Sequence, residues 1–282
     1  MYAIIKKYSW ILFCFFSVLN THSQKNNTQA SLYNVGIGGL FAGIGAVINK
    51  QPDEKFSKVF FKGLWQGAVG GYLVYESKKM IYKFSNTENY TYAWGSKILN
   101  SAGNSIIQNA ALNNVFLNKW HINIGFNRIE FETNNRFRVK YKLLPLALYG
   151  TIISASKGRF DLNKSLKTGH LIFNSNGVEG NTAYVNSILT AKNVTAKILA
   201  HEIIHVYQYE DYFSINLFAK KYRTKLNYKY PKIKGLQKWM YFDSHAWVLK
   251  GLYGIEKIGN NCYIDNFFEH EANFYSSKFS CK

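Results

Sequence analysis

Residues His201-Glu202-Ile203-Ile204-His205 constrain this chain more than any other stretch. Two histidines four positions apart lie one above the other on a helix, whereas on a strand they stand about 13 Å apart. To act as a pair they need a helix. The flanking run 195–209 agrees, because Leu199, Ile203 and Val206 recur at helical spacing and make an apolar stripe opposite the histidines. Such a helix sits with one side in a core and the other at a cleft. Two imidazoles so placed suit one Zn²⁺, and the glutamate between them suits taking a proton from water. If both histidines merely lined a core helix, the glutamate would go unexplained.

A zinc site that acts on a substrate uses three protein ligands and leaves a fourth position for water. The downstream run 265–275 contains Glu269-His270-Glu271-Ala272-Asn273. Together the two stretches resemble the gluzincin class of zinc metallopeptidases. In that class a glutamate on a later helix completes the site, in patterns such as E-x-x-A-D or E-x-x-x-D. The resemblance rests on residues 201–205 and 269–273. It implies Glu269 as third ligand beside His201 and His205, Zn²⁺ as cofactor, Glu202 as general base, and a peptide or protein substrate. It also implies a strand bordering the cleft, able to pair with an extended substrate; residues 170–173 and 183–186 are the candidates.

Glu271 is the rival ligand, since positions 269 and 271 face different sides of a helix and one of them reaches the metal. Asn273 stands where the family often has an acid that orients a zinc histidine; an amide accepts the same N–H without supplying charge. His270 reads as a surface residue. For the donor that steadies a developing oxyanion, the chain offers His245, Tyr207 and Tyr263, and His245, between the two motifs, is taken as the catalytic candidate.

Residues 1–23 read as a secretory signal peptide: Lys6 and Lys7 precede a short apolar run, with small residues near Ser23. The implied location is periplasmic, envelope-associated or secreted. In such a compartment Cys262 and Cys281 can pair and tie the C-terminus to the segment leading into the Glu269 helix. The net charge is +19, which favours acidic partners, yet no nucleic-acid motif accompanies the scattered lysines, and nucleic acid is not an expected partner.

Residues 24–85 form a polar linker followed by two apolar, glycine-dense stretches, read as two short helices in a hairpin that ends at the solvated edge Glu76-Ser77-Lys78-Lys79. Membrane association through residues 33–75 and packing of the glycine face on the rest of the chain are both open readings. A helix is predicted near 92–112, and strands at 121–126, 128–131, 137–143, 150–154, 170–174 and 183–188. The fold class is therefore α+β: a zincin-like catalytic domain over 86–282, with a mainly antiparallel sheet and two metal-bearing helices, preceded by the hairpin. The competing reading is a non-catalytic, basic envelope-associated protein with a structural or degenerate zinc site; the oligomeric state is not legible.

Overall fold

Three long helices, packed backbone to backbone, build the first half of the protein. The computed structural model describes residues 26–259, apart from 135, 176, 178 and 179, and residues 266–276. The expected leader, the Cys262–Cys281 pairing and Tyr263 lie outside the described residues.

Helix α1 (Asn27–Ile48) starts at Asn26, whose side chain accepts a hydrogen bond from the Gln29 N–H. Helix α2 (Phe56–Thr87) returns along it, and α3 (Tyr90–Ala111) follows after a break at Glu88, which has positive φ. The predicted short hairpin helices are in fact 22 and 32 residues long. Glycine costs about 1 kcal/mol per helical position against alanine, so such long helices need compensation from packing. They find it in close approach: a Cβ on Gly38 would meet Gly67 O at 2.6 Å, and one on Gly103 would meet Gly70 O at 2.6 Å. The glycines thus let α2 touch α1 on one side and α3 on the other. Helix α2 also runs straight through the predicted solvated edge. Lys78 is fully buried there, because Ile81 and Phe84 continue the buried stripe beyond it. The expected domain boundary at 85/86 falls inside this helix.

Strands β1 (Lys119–Ile124), β2 (Asn127–Glu132) and β3 (Arg138–Leu143) form an antiparallel meander, close to the predicted positions. The predicted strand at 150–154 is instead the middle of α4 (Pro145–Lys157). Pro145 opens that helix with its φ already set, and the Asp243 carboxylate accepts hydrogen bonds from the Leu146 and Ala147 N–H groups, both 2.9 Å. A remote acid supplies this cap, so local alternation gave no hint of it.

A second, mixed sheet has the order β4-β5-β7-β6, made of β4 (Gly158–Phe160), β5 (Leu171–Ser175), β6 (Thr182–Tyr184) and β7 (Ser187–Thr190); α5 (Leu162–Thr168) joins β4 to β5. Strands β5 and β7 are parallel and the other four strand pairings among the described residues are antiparallel, so the sheet structure is mainly antiparallel, divided between two sheets. The predicted strand 183–188 is split by a turn in which Val185 has φ 60°, leaving β6 at the sheet edge and β7 inside. Of the two candidate cleft strands, residues 183–184 lie on an edge, whereas β5 is flanked on both sides.

Helix α6 (Ala196–Asp211), capped by the Thr195 side chain, runs through the centre of the molecule. Leu199, Ile203 and Val206 are buried there, in one cluster with Tyr75, Ile81 and Phe84 of α2, Ile172 of β5 and Ile188 of β7. After it come α7 (Ile215–Phe218), α8 (Lys220–Lys229), α9 (Pro231–Trp239), α10 (His245–Gly259) and α11 (Phe267–Ser276). Ala272 and Tyr275 seat α11 against the same cluster. The fold is α+β. Near the N-terminus, α1 has the length and apolarity of a membrane span, while more than half of that stretch is buried inside the molecule.

Candidate metal centre

The stripe opposite Leu199 and Ile203 carries His201 and His205, one turn apart on α6. Their Nε2 atoms are 3.0 Å from each other. From α11, Glu269 brings Oε2 to 3.2 Å from His201 Nε2 and Oε1 to 3.5 Å from His205 Nε2. Glu269 is buried, while the two imidazole side chains keep 12% and 16% exposure, so the cluster opens to solvent on the histidine side.

This spacing can be compared with what a cation requires. Four tetrahedral ligands at about 2.0–2.2 Å from zinc stand roughly 3.3–3.6 Å from one another. Of the three observed separations, 3.5 Å falls inside that range and 3.0 and 3.2 Å fall just below it. Two imidazoles and a carboxylate are also the donor set that zinc takes at catalytic sites. The residues present therefore fit a metal ion.

Burial alone would lower the pKa of His205. The hydrogen bond that its ring donates to Glu269 and the charges of Glu202 and Glu269 outweigh it and push the value up to about 9. Two carboxylates in one buried place thus favour a cation there, the electrostatic counterpart of a metal site.

The ring of His205 is held from behind. Gln208, one turn on, places Oε1 2.9 Å from His205 Nδ1. Its Nε2 donates to Phe268 O at 2.7 Å and to Glu271 Oε2 at 2.9 Å. These two acceptors fix which end of the amide faces the ring, so Nδ1 donates a proton to Gln208 and Nε2 is the nitrogen turned toward the cluster. Tyr253 of α10 donates to Glu269 Oε1 at 2.8 Å.

Glu271, the rival ligand, is turned toward α2. Its Oε1 lies 2.9 Å from the buried Lys78 Nζ, which also pairs with Asp211 at 2.7 Å and bonds Asn34 Oδ1 at 2.9 Å. Asn273, expected to orient a histidine, has an amide oxygen with no hydrogen-bond partner among the described residues, and Gln208 holds His205 in its place. Gln208 was missed although its position three residues after His205 puts it on the same helix face. Tyr253 lies on a separate helix and had no spacing signal.

Glu202 is buried beside the histidines. Burial raises its pKa, against the opposing charges of His205 and His201, and a backbone hydrogen bond comes from Ala183 in edge strand β6. Its Oε2 has no hydrogen-bond partner among the described residues. A buried carboxylate oxygen left this way is costly unless something polar comes to it in use.

His245 is not brought to this cluster. It begins α10, buried against the rings of Tyr209 and Phe213 at 4.4 and 4.1 Å, with Nδ1 2.8 Å from Asn216 Nδ2. Burial pushes its pKa down to about 3. Tyr207 points into the core, where its hydroxyl meets Ser96 Oγ at 3.0 Å. His270 is half-buried on α11. No family model, curated protein or solved structure matches the chain.

Proposed function

We propose that this protein is a zinc-dependent peptidase, with His201, His205 and Glu269 as ligands and Glu202 as general base. One juxtaposition carries the reading. Three donors converge at zinc spacing, and beside them lies a buried acid with a free oxygen, next to an edge strand.

When bound, zinc would polarise the scissile carbonyl and acidify a water molecule. Glu202 then takes a proton from the attacking water and gives it to the leaving amine. Its raised pKa suits both duties, since it is a stronger base than a solvated carboxylate and a ready donor once protonated. Strand β6 lies at the sheet edge beside Glu202, where it would border an extended peptide in the cleft. Tyr253 holds Glu269, and Gln208 holds His205, in the orientation the ligands need. Export by residues 1–23 would place this activity outside the cytoplasm.

The test compares wild type, Glu202→Gln and His201→Ala for zinc content and for hydrolysis of a complex peptide mixture read by mass spectrometry. The expectation is zinc retained but turnover lost in Glu202→Gln, and zinc lost in His201→Ala. Full turnover by Glu202→Gln would remove the general base. Equal zinc in all three would remove the ligand set.

A further inference from the structure

The long connection between His205 and Glu269 is chemically unlike the rest of the chain. Between Asp211 and Asp243 there is no acidic residue, while eight basic residues fall within 220–239. These twenty residues thus supply eight of the net nineteen positive charges. They form α8 and α9, joined by a 2.7 Å hydrogen bond from Asn227 to Gln237, and neither helix buries a residue. Among the described residues none of the eight makes an ion pair. Like charges so concentrated repel one another, and an anionic surface relieves that repulsion.

Large apolar side chains stand out from the same segment. Tyr228 is 93% exposed and Trp239 70%. Beyond it, α10 has two faces. Leu249, Leu252 and Tyr253 pack inward, and Tyr253 reaches Glu269. Trp247, Val248 and Ile255 lie on the outer side, exposed. Lysines interleaved with exposed tryptophan and tyrosine suit one environment, the interface of a bilayer, where the ammonium groups meet headgroup phosphates and amphipathic rings sit at their level. A soluble polyanion would satisfy the charges but leave the tryptophans wet.

We propose that residues 220–255 dock this protein on an anionic lipid bilayer. The docking element is inserted between the two halves of the metal site, so it would hold the cleft near the surface of a membrane. The inner face of α10 packs in one cluster with Ile37 and Phe41 of α1, and the outer surface with its lysines and tryptophans is distinct from the glycine contacts between α1 and α2.

The test uses the full chain and vesicles of phosphatidylcholine with or without phosphatidylglycerol, read by flotation and tryptophan emission. Expected are binding that rises with phosphatidylglycerol, falls between 0.1 and about 0.5 M salt, and shifts emission to the blue. The variant Lys232→Gln/Lys234→Gln/Lys238→Gln should weaken binding roughly a hundredfold, at about fivefold per lysine. Trp239→Ser/Trp247→Ser should lose the blue shift. All five positions are exposed, and an unchanged melting curve checks that folding is intact. Equal binding to both vesicle types overturns the proposal. So does binding that ignores the three lysines but fails in Trp65→Ser, which would move the contact to α2. Equally tight binding to soluble polyglutamate without a blue shift overturns it in favour of an acidic polymer.

Discussion

Gln208 and Glu271 share a 2.9 Å hydrogen bond that joins helix α6 to helix α11 directly behind His205. It determines how the Gln208 amide is turned, and hence which nitrogen of the imidazole is left for a metal. Replacing Gln208 by Leu removes the acceptor at Nδ1 while keeping side-chain bulk. Zinc affinity should fall about 10- to 100-fold, the usual effect of losing a group that orients a metal ligand. Titration against a competing chelator measures it. Unchanged affinity would mean that the ring needs no such support.

Tyr253 tests the same principle at the carboxylate. Its hydroxyl is the donor to Glu269 Oε1, and hydrogen bonds to charged groups contribute about 1.5–3 kcal/mol. Tyr253→Phe should therefore loosen zinc by roughly 10- to 100-fold with little change in melting temperature. The prediction fails if zinc affinity stays put while the fold is destabilised.

How much of this was legible beforehand differs from one residue to the next. His201, His205 and Glu269 meet as the helical spacing and the later glutamate implied, because the histidines and the apolar stripe of α6 fall on opposite faces at the same period. The choice of Glu269 over Glu271 was not decided by spacing. It turns on Lys78, a cation more than a hundred positions away that draws Glu271 to the other side. Residues 150–154 read as a strand although they lie inside the helix 145–157, because the cap of that helix comes from the remote Asp243. Lys78 itself was misplaced because a lysine pair at the end of an apolar run ordinarily marks solvent, and only the acids on α6 and α11 make burial tolerable. His245 illustrates the converse: a histidine between two motifs looks chemical, yet ring packing and a bond to Asn216 account for it.

The buried cation gives a stability prediction. Removing one partner of a buried ion pair costs about 3–5 kcal/mol, because the remaining charge is left uncompensated. Lys78→Met leaves both Asp211 and Glu271 in that condition and should lower stability by that order in urea titrations. Adding Asp211→Asn and Glu271→Gln to Lys78→Met should recover part of the loss. No recovery would show that the lysine acts through packing alone.

Acid should also unfold the protein early. His121, His170 and His245 are buried, and burial holds all three below the ordinary imidazole range, His245 at about 3. An unfolded chain protonates them near pH 6.5, and the folded chain does not. Stability therefore declines as pH falls below about 6.5. Asp211 works the other way: burial raises it to about 6 against the pull of Lys78, so it takes up a proton in the folded state first. The unfolded chain then holds roughly two more protons around pH 5, a slope of about 3 kcal/mol per pH unit. Against a typical stability of 5–15 kcal/mol, a drop of a few units is decisive. Urea midpoints measured from pH 7 to 4 check this, and a flat profile would refute it.

Helix α2 spends its first half against α1 and then delivers its lysine to the acids behind His201, His205 and Glu269. Grafting residues 86–282 alone onto another protein would therefore carry the His201–His205–Glu269 cluster but leave Asp211 and Glu271 without their counter-ion. Mechanical load, clipping or anchoring applied to the amino-terminal helices would likewise be transmitted, through Lys78, Glu271 and Gln208, to one imidazole ring.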